Sequence, residues 1–150
     1  KEEFGRMSAL SLIDKQVVAE SGKLNYSGEP VQIGFSFSDS VEKAVISVKG
    51  ENGQIIDTRE VRQPGDRNHF FQWDATDQDG EPVRKGNYYL EVNGTTAEGE
   101  ELQGTSLVES RVTGADFSDS SNTLVTTTGR ISLSEIIRVN NSTLSAESSE

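Results

Sequence analysis

Residues Phe70 to Val92 read FFQWDATDQDGEPVRKGNYYLEV, and the fold turns on whether the acidic, glycine-punctuated middle of this run holds an ion or only bends the chain. A helix-loop-helix calcium loop takes oxygen ligands at positions one, three, five and twelve and glycine at six. With Gly80 at six, Asp77 and Asp79 fall at three and five, but Ala75 falls at one and Gly86 at twelve. The bidentate carboxylate is missing. Both flanks, HFFQW and NYYLEV, carry the aromatic and β-branched residues of strands. The stretch therefore reads as strand, turn, strand, with Asp79-Gly80 closing the bend, Pro82 stiffening the exit and Gly86 giving a second bend. No metal and no other cofactor is expected.

Working outward, Val31, Ile33, Phe35 and Phe37 alternate with Gln32, Gly34, Ser36 and Ser38, which puts four apolar side chains on one face of a strand. KAVISVKG and IIDTREV flank Asn52-Gly53, so residues 44–61 read as a hairpin whose two turn residues tolerate positive φ. RQPGDRN reads as a loop, TTAEGE as a turn and ELQGTSLV as a further strand. Short strands at this spacing predict a sandwich or barrel. After Leu107 the sequence becomes Thr- and Ser-rich with glycine turns, which suits a small barrel. Near the start, Met7, Leu10, Ile13 and Val17 recur at helical spacing and predict a short helix, while NSTLSAESSE at the end lacks periodicity and is expected to be a mobile tail.

Composition narrows the function. The chain has 150 residues, 25 Asp and Glu against 14 Lys and Arg, and a formal charge of -11. A nucleic-acid partner is not expected, because such binding needs cations to displace counterions from phosphate. No run approaches the roughly 20 apolar residues of a spanning helix, and no basic-then-apolar leader opens the sequence; membrane insertion and a cleaved signal are not expected. Cysteine is absent, which removes disulfides, thiolate sites and thiol nucleophiles together and suits export into an oxidising space.

Catalysis finds little support. His69 is the single histidine and shares a strand face with Phe71 and Trp73 by alternation, so no histidine cluster can form. Asp74, Asp77, Asp79, Glu98, Glu100 and Glu101 sit in turn contexts where solvation is their ordinary role. No catalytic residue is assigned. The same alternation turns Tyr88, Leu90 and Val92 inward with Phe71 and Trp73, and leaves Phe70 and Tyr89 facing outward. Lying on adjacent strands, these two exposed aromatics are candidate partner contacts. The opposing reading is that the second sheet or the barrel covers them.

WDATDQDGEPVRKGNYYLEV, with Trp73-Asp74, Asp77, Gly80, Gly86 and Tyr88 at these spacings, resembles the signature of the bacterial flagellar hook-capping family, also called hook assembly scaffold or basal-body rod modification proteins. ALSLIDKQVV near the start, the hairpin around ENGQIIDTREV, and RVTGADF followed by TGRISLSEIIRV extend the likeness from about Ala9 to Val139. The resemblance implies an all-β fold: a fibronectin type III-like β-sandwich over 29–106, inserted into a small tudor-like (SH3-like) β-barrel of 8–28 plus 107–142, with a short N-terminal helix and flexible ends at 1–7 and 143–150. It also implies a non-enzymatic cap at the distal end of the growing rod and hook, with hook protein subunits as partners and self-association into a cap. The family carries a longer Gln-rich N-terminal segment tied to export and attachment, so the chain starting at Lys1 is expected to be a fragment, monomeric or weakly associating by itself. A second reading, of another class, is a carbohydrate-binding or adhesion module using Tyr89 with Phe70 against sugar rings.

Overall fold

A computed structural model of the chain describes residues 2–65, 68–119 and 121–140. The elements in chain order are helix α1 (Glu2–Ser11), then β1 (Gln16–Glu20), β2 (Lys23–Tyr26), β3 (Val31–Ser36), β4 (Val41–Lys49), β5 (Ile55–Gly65) and β6 (His69–Trp73). They continue with β7 (Gly86–Thr95), β8 (Glu101–Gln103), β9 (Thr105–Asp116), β10 (Thr123–Thr126), β11 (Gly129–Ser132), a 3-10 turn (Leu133–Glu135) and β12 (Ile136–Asn140). The fold is all-β apart from that helix and turn. Among the described residues no helix is long and apolar enough to cross a membrane. The tail expected over 141–150 lies outside the described residues.

Contacts divide the chain into two compact units: one drawn from its two ends, up to Glu20 and from Glu109 onward, the other from Ser21–Val108. In the inserted unit, alternation builds a two-sheet sandwich. One sheet pairs β3 with β6, in register Val31↔Trp73 to Phe35↔His69, and β3 with β9. The other runs β2-β7-β4-β5, with β8 on β7. Every second residue of β3, β4 and β7 is buried: Val31, Ile33 and Phe35, then Ala44, Ile46 and Val48, then Tyr88, Leu90 and Val92. These side chains form one cluster with Leu24 and Trp73, the arrangement that period-two patterning dictates when one face of each sheet is dry. Gly94 and Gly104 make room for Phe37, whose ring atoms lie 2.7 and 2.8 Å from where their Cβ atoms would be.

The unit drawn from the chain ends is a sheet in the order β11-β10-β9-β1-β12, with a core of Ala9, Val17, Ala19, Val112, Leu124 and Ile131. The 3-10 turn before β12 carries a reciprocal capping box between Ser132 and Glu135.

Several expectations need correction. The helix starts at Glu2, inside the stretch expected to be a flexible end, and ends before Val17, which is a β1 residue. Its packed side is not the Met7–Leu10 stripe: Met7 is 61% exposed and Leu10 53%, while Ala9 is fully buried beside Leu12 and Ile13. Asp14, at φ 74°, ends the segment, and its N–H donates to the Val112 carbonyl, fixing which side faces the sheet. RQPG is not loop but the end of β5, which Val41↔Gly65 pairing extends. Lys23–Tyr26 pairs with Gly86–Tyr89, and β9 runs without a break through Leu107.

Candidate functional site

The DQDGE bend is one of three turns built alike. In Gly50–Gln54, Asp77–Glu81 and Thr96–Glu100, the first N–H donates to the fifth residue's carbonyl at 2.9, 2.8 and 2.8 Å. The N–H of the fourth residue, always glycine, donates back to the first carbonyl at 3.0, 2.9 and 2.9 Å. Those glycines have φ of 86°, 82° and 88°, a conformation that a Cβ would strain. This is a three-residue loop whose last residue, the glycine, is left-handed. Asn52 therefore does not share the positive φ expected for a two-residue Asn-Gly turn; Gly53 alone takes it.

Side chains complete the turns. Asp77 Oδ1 accepts from the N–H groups of both Asp79 and Glu81 at 2.9 Å, and Thr96 Oγ1 accepts from Glu100 N–H at 3.0 Å. The carboxylate that best matched an ion ligand is thus spent on its own backbone. Among the described residues no group of three or more His, Asp or Glu side chains is placed to hold a metal.

Trp73 and Tyr88, which bracket this turn, anchor it to the core. Their rings meet edge to face at 5.5 Å, and Trp73 meets Tyr26 at 6.1 Å. Trp73 Nε1 donates to Asp57 Oδ2 at 3.2 Å. The Tyr88 hydroxyl donates to the Arg84 carbonyl at 2.6 Å, a tie from a buried ring back to upstream backbone like that at the corner of immunoglobulin sandwiches. Burial pushes the Tyr88 phenol up from its ordinary pKa.

His69 stacks on Phe35 at 5.6 Å, and its Nε2 lies 2.9 Å from the Pro64 carbonyl; both contacts serve packing. The two aromatic candidates are not brought together. Phe70 is half-buried on β6 and covers Gly34, with Cδ1 2.7 Å from where a glycine Cβ would stand. Tyr89 is 38% exposed on β7, between Lys23 of β2 and Lys49 of β4. β6 and β7 belong to opposite sheets, so no joint platform exists.

What does converge is a polar groove of about 630 Å³ at one end of the sandwich, between the Gly50–Gln54 turn and the residues leading into β7. Glu51, Asn52 and Gln54 line one wall; Arg84, Lys85 and Asn87 line the other. Asn87 joins the walls: its Oδ1 accepts from Asn25 at 2.9 Å, and its Nδ2 lies 3.5 Å from Glu51 Oε2. Sequence reasoning took this segment only as a bend. The available signal was Arg84-Lys85, the one pair of adjacent cations in an acidic chain.

Comparison with curated proteins finds no match. Solved structures do match. FlgD from Xanthomonas campestris, described in terms of hook capping essential for flagellar assembly, superposes with a TM-score of 0.78 at 18% identity, covering 89% of this chain and 98% of that one. FlgD from P. aeruginosa gives 0.69 at 17%, covering 84% and 97%. Truncated FlgD from Helicobacter pylori gives 0.54 at 19%, covering 88% and 96%. At such identities the likeness is one of fold. The sequence itself carries the assignment further, because the model of the FlgD Ig-like domain matches residues 21–98. That span holds the Gly50–Gln54 and Asp77–Glu81 turns, the Trp73–Tyr88 anchor and most of the sandwich, and on this match over more than half its length the chain belongs to the FlgD Ig-like domain family.

Proposed function

We propose that the chain acts in flagellar hook assembly as a non-enzymatic scaffold, retaining hook subunits at the growing tip while they polymerise. The observation that carries this reading is the family match over 21–98, set within a chain whose fold follows FlgD along 89% of its length. On this reading its partners are hook protein subunits and further copies of itself, and its place is the distal end of the rod and hook. The unit drawn from the chain ends then serves as the tudor-like part and the Ser21–Val108 unit as the fibronectin type III-like part. A cap must hold a subunit and then let it pass, which favours modest, partly polar contacts over one large apolar patch. Tyr89, exposed among lysines, and Phe70, on the other sheet, are then separate contact candidates rather than one surface.

The test is genetic. Deleting the gene should leave cells with rods but no hooks by electron microscopy, and the wild-type gene should restore them. Hooks of normal length in the deletion strain would overturn the proposal.

A further inference from the structure

We propose that the groove between the Gly50–Gln54 turn and Arg84–Asn87 is a docking site for an acidic peptide segment of a partner protein. Charge is the first reason. The chain carries a formal charge of -11, yet this groove is lined by two cations against one carboxylate. Arg84 and Lys85 are exposed, and neither is in an ion pair among the described residues. Lys85 is positioned rather than loose, because its stem crosses Gly28, with Cε 3.1 Å from where a Cβ would be. The single carboxylate lining the groove, Glu51, faces the Asn87 amide and makes no ion pair with either cation among the described residues.

Hydrogen-bonding capacity is the second reason. Asn52 and Gln54 offer amides that donate and accept, the complement of a peptide backbone, while the Asn87 amide is engaged with Asn25 and Glu51. At Gly86 nothing lies within 4 Å of where a Cβ would stand, so a chain can approach there. A sugar is the less suitable ligand, since the one ring at the groove, Tyr88, is buried and its hydroxyl is committed to the Arg84 carbonyl. The inference is independent of the proposed role in hook assembly: it concerns which chemistry the groove accepts.

The test is a heteronuclear NMR titration of the full chain with a peptide of alternating Glu and Ser, beside a Lys and Ser peptide and a neutral oligosaccharide. Amide shifts confined to the Gly50–Ile56 and Arg84–Tyr89 backbone are expected with the acidic peptide alone. The apparent affinity should fall roughly tenfold or more in Arg84→Glu/Lys85→Glu and on raising salt from about 50 mM to about 0.5 M. Both side chains are exposed, so unchanged spectra elsewhere will show that the variant folds. Scattered or absent shifts with the acidic peptide, an unaltered affinity in the double variant, or tighter binding of the oligosaccharide would each overturn the proposal.

Discussion

Asp77→Ala tests the reading of the central turn directly. One carboxylate oxygen accepts two backbone N–H groups, and truncation returns both donors to water while removing the group that pins the bend. Capping side chains of this kind contribute about 0.5–2 kcal/mol each, and the turn is exposed, so a loss of about 1–1.5 kcal/mol is expected. Asp77→Asn keeps an oxygen in the same place and should cost about 0.5 kcal/mol or less. Trp73 is the single tryptophan and is 2% exposed within the sandwich unit, so its fluorescence reports the unfolding of that unit alone. With a urea slope of about 1.5 kcal/mol/M, the alanine variant should unfold roughly 0.7–1 M earlier. Calcium supplies the counter-test, since a bound ion at a hundred times its Kd would add about 2.7 kcal/mol. An unmoved midpoint in Asp77→Ala, or a calcium-dependent rise in the wild type that Asp77→Ala abolishes, would refute the turn assignment.

Two further outcomes follow from particular contacts. A Cβ at Gly34 would stand 2.0 Å from the His69 carbonyl oxygen and 2.7 Å from Phe70 Cδ1, so Gly34→Ala forces β3 from β6 and should cost about 3 kcal/mol; Gly99→Ala, in open space but at φ 88°, should cost only about 1 kcal/mol. Equal urea midpoints for the two variants would contradict this. Asp116 is held down to a pKa of about 2, first by the Ser118 hydroxyl and backbone N–H and then by Arg130. Because the folded value lies below the ordinary carboxylate value of 3.8, its contribution to stability is present in full above that value and is lost as pH falls toward 2. Carboxyl-carbon NMR should find its midpoint near 2 and find it raised in Ser118→Ala; a midpoint near 3.8 in the wild type would be the contrary result.

The sequence by itself determined what is local. Alternation in Val31–Phe37 and Tyr88–Val92 named the buried face of each strand, because side chains in a strand point to opposite sides with period two. The hairpin over 44–61 followed from its Asn-Gly turn, although only Gly53 of that pair takes positive φ. Tertiary structure decided the partners. Inside and outside are written in the pattern, but which strand pairs with which depends on distant faces being buried together. So β6 and β7, neighbours in sequence, lie in opposite sheets and part Phe70 from Tyr89. For the same reason Ala9, not Met7 or Leu10, became the packed residue of the helix, since a core residue 103 positions on, Val112, fixes the backbone where that segment ends. Arg84 and Lys85 gain a groove only because β4 pairs with β7 and brings the Gly50–Gln54 turn beside them.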